Sequence, residues 1–235
     1  NGMREFTDGN DLNRLMPGKK NGTTSEVYAS IILEKIVKHF DYLIDLHTAS
    51  FGRINSLYVR ADMTDKTVAR MAELQEPRII VNKRGGAGTL RAEATRLGIH
   101  AITVEVGDPH LFQRKHIRPS IFGLKNVLVE LGMIDEEHED IDHDAIVCKN
   151  STWFYAKNGG ILRVIPELTE SVKKGEKIAT ISNIFGEIIE EIKSPGDAVV
   201  VAKSVNPVCE VGSRIIHLGE VWQDYEESQT PMEHR

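Results

Sequence analysis

The chain has 235 residues, 40% apolar and 27% charged, with a net charge of −6, which is enough to bury one large domain and one small one. The acidic balance argues against a nucleic-acid surface, which needs clustered Lys and Arg. No apolar run nears the roughly 20 residues of a membrane span, and nothing at the start has the pattern of a signal peptide. Cys148 and Cys209 make neither a disulfide framework nor a cysteine-only metal site, so a reducing cytoplasm is the expected compartment. The first residue is Asn1 rather than methionine, so the chain reads as a fragment of a longer polypeptide.

Residues 1–22 are rich in Gly, Asn and Asp and read as loop. Within it Asn13 and Arg14 are adjacent and Arg4 lies nine residues before Asn13. In a loop such neighbours can converge on one anion, a guanidinium gripping a carboxylate through two parallel hydrogen bonds; the alternative is a solvated turn. Thr23-x-x-Glu26 is a capping box, and Val27, Tyr28, Ile31, Ile32, Ile36 and Phe40 then recur at helical spacing. This helix feeds Asp41 to Thr48, a strand reading as buried, in which Leu43, Asp45 and His47 share one face at period two. A polar pair at the C-terminal edge of an apolar strand is where open α/β folds place their sites. The imidazole suits zinc ligation or general-base work, with Asp45 to orient it; otherwise it is a core histidine satisfied by hydrogen bonds.

A short strand follows near Ser56 to Arg60, then a helix capped by Thr64 or Asp65 and running to about Gln75, and a β-branched run from Arg78 to Val81. The Gly-rich segment Asn82 to Thr89 lacks the order of a phosphate loop. Thr89 to Leu97 reads as a short helix stopped by Gly98, and Ile99 to Gly107 as a second buried strand with Glu105 as its anomaly. A carboxylate near an apolar core must be paired or share a proton, and so placed it can act as a general base. The competing reading is a glutamate at the strand's edge, salt-bridged to an arginine. Pro119 to Gly132 reads as a helix packing on the sheet through Ile121, Leu124, Val127, Leu128 and Leu131.

The fold expected from this alternation is α/β, a mixed sheet with flanking helices over residues 1–134. Residues 135–145 form an acidic linker, holding seven acids and two histidines between Asp135 and Asp144. From 146 to 221 short β runs separated by Gly, Pro and Asn predict a small all-β barrel-sandwich domain. Val172, Gly175, Ile178 and Ile181 recur about 37 residues later as Val208, Gly212, Ile215 and Leu218, a weak internal repeat. Residues 222–235 are a polar tail.

Taken in order, Arg-Glu-Phe at 4 to 6, Asp-Leu-Asn-Arg at 11 to 14 with Pro17-Gly18, Asp-Leu-His-Thr at 45 to 48, Gly-Thr-Leu-Arg at 88 to 91 and Val-Glu-Val-Gly at 104 to 107 resemble the succinylglutamate desuccinylase/aspartoacylase family, a branch of the zinc carboxypeptidase superfamily. The β part is similar to the lipoyl-like C-terminal domain of its bacterial deacylase members. The resemblance implies that His47 is a zinc ligand and Glu105 the catalytic carboxylate. It further implies that Arg4 polarises the scissile carbonyl or binds substrate, that Asn13 and Arg14 hold the substrate carboxylate, and that Arg91 contacts a second acidic group. The implied reaction is hydrolysis of a non-peptide amide bond in an N-acyl amino acid.

The sequence also departs from the family pattern. Of its nine histidines only His217 is followed by a glutamate at the third position, Glu220, and that pair lies in the β part, downstream of Arg4 and Asp-Leu-Asn-Arg, whereas the motif that supplies the family's first two zinc ligands lies upstream of them; those ligands are therefore expected upstream of Asn1. In the β part the turn from Ser182 to Glu187 carries no lysine, so neither lipoylation nor biotinylation is expected. The expected partner is a small-molecule substrate, with no nucleic acid and no membrane, and self-association is open. A zinc carboxypeptidase acting on short peptides and a non-catalytic ligand-binding relative are the competing readings.

Overall fold

The computed structural model of the protein describes residues 4–138 and 145–225. Most of the acidic segment (139–144) and most of the tail (226–235) therefore lie outside the described residues. Among the described residues no helix is long and apolar enough to cross a membrane.

The first part alternates as expected: α1 (Thr24–Lys35), β1 (Tyr42–His47), β2 (Arg53–Asn55), β3 (Leu57–Ala61), α2 (Lys66–Glu73), β4 (Ile79–Asn82), α3 (Leu90–Arg96), β5 (His100–Val106) and α4 (Arg114–Glu130). The starts of three helices follow from their caps. Thr23 and Glu26 close the capping box on α1, Asp65 accepts from Val68 N, and Thr89 accepts from Ala92 N. One apolar core lies between the sheet and α2 with α4, joining Val59, Met63, Met71, Ile80, Ile102 and Val104 among others. A smaller one on the other face joins Leu33 and Val37 to Ala94, Ile99 and Ala101.

Two helical stripes turn out differently from the sequence reading. The face α1 buries is Ser25, Ala29, Ser30 and Leu33, while Tyr28 and Ile31 stand in solvent, Ile31 with 51% of its surface exposed. On α4 the buried positions are Ser120, Gly123, Asn126 and Val127, and of the expected stripe only Val127 is fully covered. The cause is close approach. A Cβ on Gly123 would come 2.5 Å from Gln75 Cα, so only small residues fit where α4 crosses the end of α2. The helix also begins five residues before Pro119, which sits inside it.

After residue 145 come β6 (Ile146–Tyr155), β7 (Gly160–Val164), β8 (Ser171–Val172), β9 (Lys177–Ser182), β10 (Ile188–Lys193), β11 (Ala198–Ser204), β12 (Val208–Cys209) and β13 (Arg214–Val221). The weak repeat is structural: each half is a two-residue strand, a turn through a positive-φ glycine (Gly175, Gly212) and a long strand. Buried Cys209, rather than exposed Val208, occupies the place of Val172.

The large sheet is mixed and nine-stranded, in the order β1-β5-β3-β4-β6-β13-β11-β2, with β8 also on β11; the second sheet runs β10-β9-β7-β12. Strands from both sides of the acidic segment thus share one sheet. Because Ser56 alone separates β2 from β3, and its N–H donates to Val201 O, the path β3-β4-β6-β13-β11-β2 returns on itself. Tyr58, Ile79, Val81, Cys148, Val199 and Val201 form the apolar cluster of this circuit. A separate cluster packs the second sheet against β11 and β13.

Candidate active site

β1 and β5 are parallel neighbours, with His47 paired to Glu105 and Asp45 to Thr103. Paired residues of adjacent strands point to the same face, so the register carries the imidazole and the carboxylate to one side of the sheet. Both line a cavity of about 240 Å³ together with Arg4, Asn13, Arg14 and Arg91. All six residues singled out in the sequence therefore meet in one place, although 101 positions separate Arg4 from Glu105. β1 is an edge strand rather than a buried one, and Leu46 on its far face is 53% exposed.

His47 Nε2 lies 2.8 Å from Asp45 Oδ2. A carboxylate oxygen accepts, so Nε2 donates this hydrogen bond, and in the neutral ring that leaves the Nδ1 lone pair free. The hydrogen bond to Asp45 raises the imidazole pKa, against a smaller opposing effect of burial. Glu105 is only 4% exposed. Asn55 Nδ2 donates to its Oε2 at 2.8 Å and Arg60 Nη2 sits 2.8 Å from its Oε1. The arginine partner considered from the sequence is thus present, but the glutamate lies inside the sheet and not at its rim. Two donors use two of the roughly four lone-pair sites of a carboxylate, which leaves others for a water or a substrate.

Arg60 also donates to Tyr58 Oη from Nε (3.1 Å) and Nη2 (2.5 Å). Burial works against its charge, but Tyr58 and Glu105 more than offset that and hold its pKa above the ordinary arginine value. Arg4 is anchored through Nε to Asp11 (2.7 Å) and through Nη1 to Ser50 (2.9 Å). Asn13 has a structural task as well as a position on the cavity: its Oδ1 accepts from Leu90 N at 2.7 Å, at the first turn of α3. The same two loops are tied where Met16 N donates to Gly88 O. Gly88 has φ +81 and its missing Cβ would strike the Arg14 carbonyl, so the glycine is required there. Arg91 is buried, donates to Lys83 O at 2.6 Å, and is pulled down to about 10, first by burial and then by Arg60.

The family model of the succinylglutamate desuccinylase/aspartoacylase catalytic domain matches residues 2–131, the segment that carries every one of these side chains. The chain belongs to this family. Among curated proteins it is similar to N-alpha-acetyl-L-2,4-diaminobutyric acid deacetylase of Halomonas elongata, at 22% identity over 228 residues covering 91% of this chain and 66% of that protein. The chain thus spans just under two thirds of that relative. Among solved structures, a succinylglutamate desuccinylase from Silicibacter sp. TM1040 superposes with a TM-score of 0.81 at 18% identity, over 92% of this chain and 68% of that one. The product-bound ectoine utilization protein EutE (DoeB) of Ruegeria pomeroyi gives 0.82 at 18%, over 91% and 68%. A succinylglutamate desuccinylase/aspartoacylase from Rhodobacter sphaeroides gives 0.82 at 20%, over 94% and 71%. At these identities the shared property is the fold.

Several cavity residues of this family member were not marked in the sequence: Arg60, Lys83, Arg84 and Arg214, with Asn55 behind Glu105. Arg60 had a usable signal, being a charge inside the apolar run of β3 just as Glu105 is in β5. Arg214 had none, since an arginine at the start of a strand in the β part looks like ordinary surface. As to zinc, a protein site takes three ligands with a fourth position open, whereas no group of three His, Cys, Asp or Glu among the described residues is placed to hold an ion. The donor set present offers one imidazole, so by itself it does not fit the metal.

Proposed function

We propose that the protein hydrolyses the amide bond of a small N-acyl amino acid. The observation that carries this reading is the convergence of Glu105 and His47, in register on β1 and β5, with the Asn13 and Arg14 loop in one basic cavity. Members of the family are named for deacylase chemistry, which supports the reaction class. In this reading Asn13 Nδ2 and the Arg14 guanidinium hold the substrate carboxylate. Arg4 stands at the scissile carbonyl, where a fixed cation stabilises the oxyanion as it forms. Glu105 takes a proton from the attacking water and returns it to the departing amine, its position fixed by Asn55 and Arg60. The zinc ion implied by the family resemblance belongs to the same proposal, and His47 is the one residue of the cavity that would serve as a ligand to it. A cytoplasmic setting is likewise proposed; the lipoyl-like likeness of 146–221 is proposed as a likeness of shape only, because β6, β11 and β13 belong to the sheet that also holds β2, β3 and β4.

The test pairs N-acetyl and N-succinyl amino acids against short peptides, following release of free amine by the natural full-length polypeptide. Release from the acyl amino acids and not from peptides is expected; cleavage of peptides alone would make the protein a carboxypeptidase. The incomplete ligand set favours one second reading, a non-catalytic binder of acylated amino acids. Binding without turnover, and without stoichiometric zinc in the full-length protein, would establish that reading instead.

A further inference from the structure

The turn from Ser182 to Glu187, between β9 and β10, carries no lysine, and its tip is apolar instead. Ile184 and Phe185 stand there, each with 83% of its surface in solvent. The turn is closed by its own hydrogen bonds. Asn183 Oδ1 accepts from Phe185 N at 2.9 Å and from Glu187 N at 3.1 Å, Asn183 N donates to Glu187 O at 2.9 Å, and Gly186 takes φ +86. Two large apolar side chains are thus held in water at a fixed place, which does nothing for an isolated monomer but lowers the ordering cost of an association.

The tip continues an apolar row on the outer face of the second sheet. Val208 on β12 pairs with Ile161 on β7, Ile161 with Ser182 on β9, and Ser182 with Ile188 on β10, so these residues lie in one line across all four strands. Their neighbours Leu162 and Ile181 are buried against β11 and β13. Alternation along each strand therefore turns the row outward, and Val208, Ile161 and Ile188 are all exposed. Together with the tip they present on the order of 600 Å² of apolar surface, the upper end for the largest patch of a monomer. Two copies joined through it would bury about 1,200 Å², where specific interfaces begin.

The charges beside the row fit a second copy of the same surface. On one side Arg163 is in register with Thr180, and on the other Glu187 closes the turn; both are exposed. Neither forms a salt bridge among the described residues, Glu187 being bonded only to the neutral amide of Asn183 at 2.7 Å. The remaining carboxylate of that line, Glu191, is already held by Lys177 at 2.6 Å and Lys193 at 3.3 Å. A two-fold axis along the row lays one side over the other, which brings Arg163 of each copy to Glu187 of the other. We propose that the outer face of the second sheet is a homodimer interface, anchored by the Ile184 and Phe185 tip of each copy, with Arg163 and Glu187 paired at its rim. This inference does not depend on the reaction proposed above.

The test is sedimentation equilibrium of the natural full-length polypeptide, which should be dimeric at micromolar concentration. Phe185→Asp changes a solvated side chain that makes no contribution to the core, and should raise the dimer dissociation constant by about 30-fold or more, as the loss of an interface hot spot does. Ile161→Asp, in the middle of the row, should act in the same direction. Arg163→Glu and Glu187→Arg should each weaken the dimer several-fold, and the two together should restore it, because the exchanged charges meet again across the axis. That recovery cannot come from a folding defect. A monomeric wild type, a dimer indifferent to Phe185→Asp and Ile161→Asp, or a double charge variant no tighter than Arg163→Glu alone overturns the proposal. A monomer that instead sediments with phosphatidylcholine vesicles, and loses this with Phe185→Asp, also overturns it and makes the tip a membrane contact.

Discussion

Replacing Arg60 with methionine tests whether the buried carboxylate at the centre of the site depends on its partner. The Glu105 side chain is 5% exposed and that of Arg60 35%, with 2.8 Å between Nη2 and Oε1. Removing one partner of a fully buried ion pair costs about 3–5 kcal/mol, most of it the penalty for the stranded charge. Here Asn55 still donates to Glu105, and Arg60 is partly solvated, so about 2–3 kcal/mol is expected for the pair. Tyr58, which has no exposed surface, loses the two donors on its hydroxyl, adding about 1 kcal/mol. Urea denaturation of wild type, Arg60→Met, Glu105→Gln and the double variant gives the coupling directly. Because glutamine carries no charge to strand, the double variant should be more stable than the sum of the singles predicts by about 2 kcal/mol. Additivity within about 0.5 kcal/mol would mean that Glu105 is solvated without Arg60, and the picture of a dry carboxylate held between two donors would be wrong.

What the sequence revealed and what it hid follow from which forces act locally. Caps are local, so Thr23 with Glu26, Asp65 and Thr89 mark three helix starts correctly. Strand faces are also local: period two places His47 with Asp45 and Glu105 with Thr103, and the parallel register of β1 and β5 then needs only to match. Helix faces are another matter. On α1 two positions of the expected stripe, Tyr28 and Ile31, are exposed, because the buried face is Ala29, Leu33 and two serines, the small ones where the chain approaches closely. Hydrophobic spacing cannot signal a contact built from small residues. Pro119 misled for a different reason, since a proline suits the first turn of a helix but α4 accommodates one within its length. β2 is three residues long, too short to show alternation, yet through Ser56 it closes the strand circuit. The β part reads correctly as β, but no pattern within it tells which of its strands join the sheet that carries Glu105. That non-local pairing brings Arg214 to the cavity, which is why its place was invisible.

The remaining predictions concern the site and its support. Asn13→Asp keeps the oxygen that accepts from Leu90 N but replaces the carboxamide donor with a negative charge, so stability should change little while affinity for an acyl amino acid falls by about 10- to 100-fold. Unchanged affinity by calorimetry would remove Asn13 from the carboxylate clamp. Glu105→Gln should lower turnover by about 10²- to 10⁴-fold, and retained turnover would reassign the base. The last prediction concerns acid stability. Burial, then Arg60, Lys83 and Arg214, push the His217 imidazole down to about 3, so the fold favours its neutral form. A group whose folded pKa is depressed stabilises the fold above its unfolded value of about 6.5 and loses that contribution as pH falls towards 3. At pH 5 the loss is about 2 kcal/mol. His217→Gln cannot take up this proton, so between pH 7 and pH 5 wild type should lose about 2 kcal/mol more than the variant in urea denaturation. Parallel curves over that interval would mean that His217 can be protonated in place. His217, stacked on Trp153 and edge-on to Tyr58 with Arg214 and Arg60 over the outer rings, would then be a third cation in one buried row, which a dry interior does not allow.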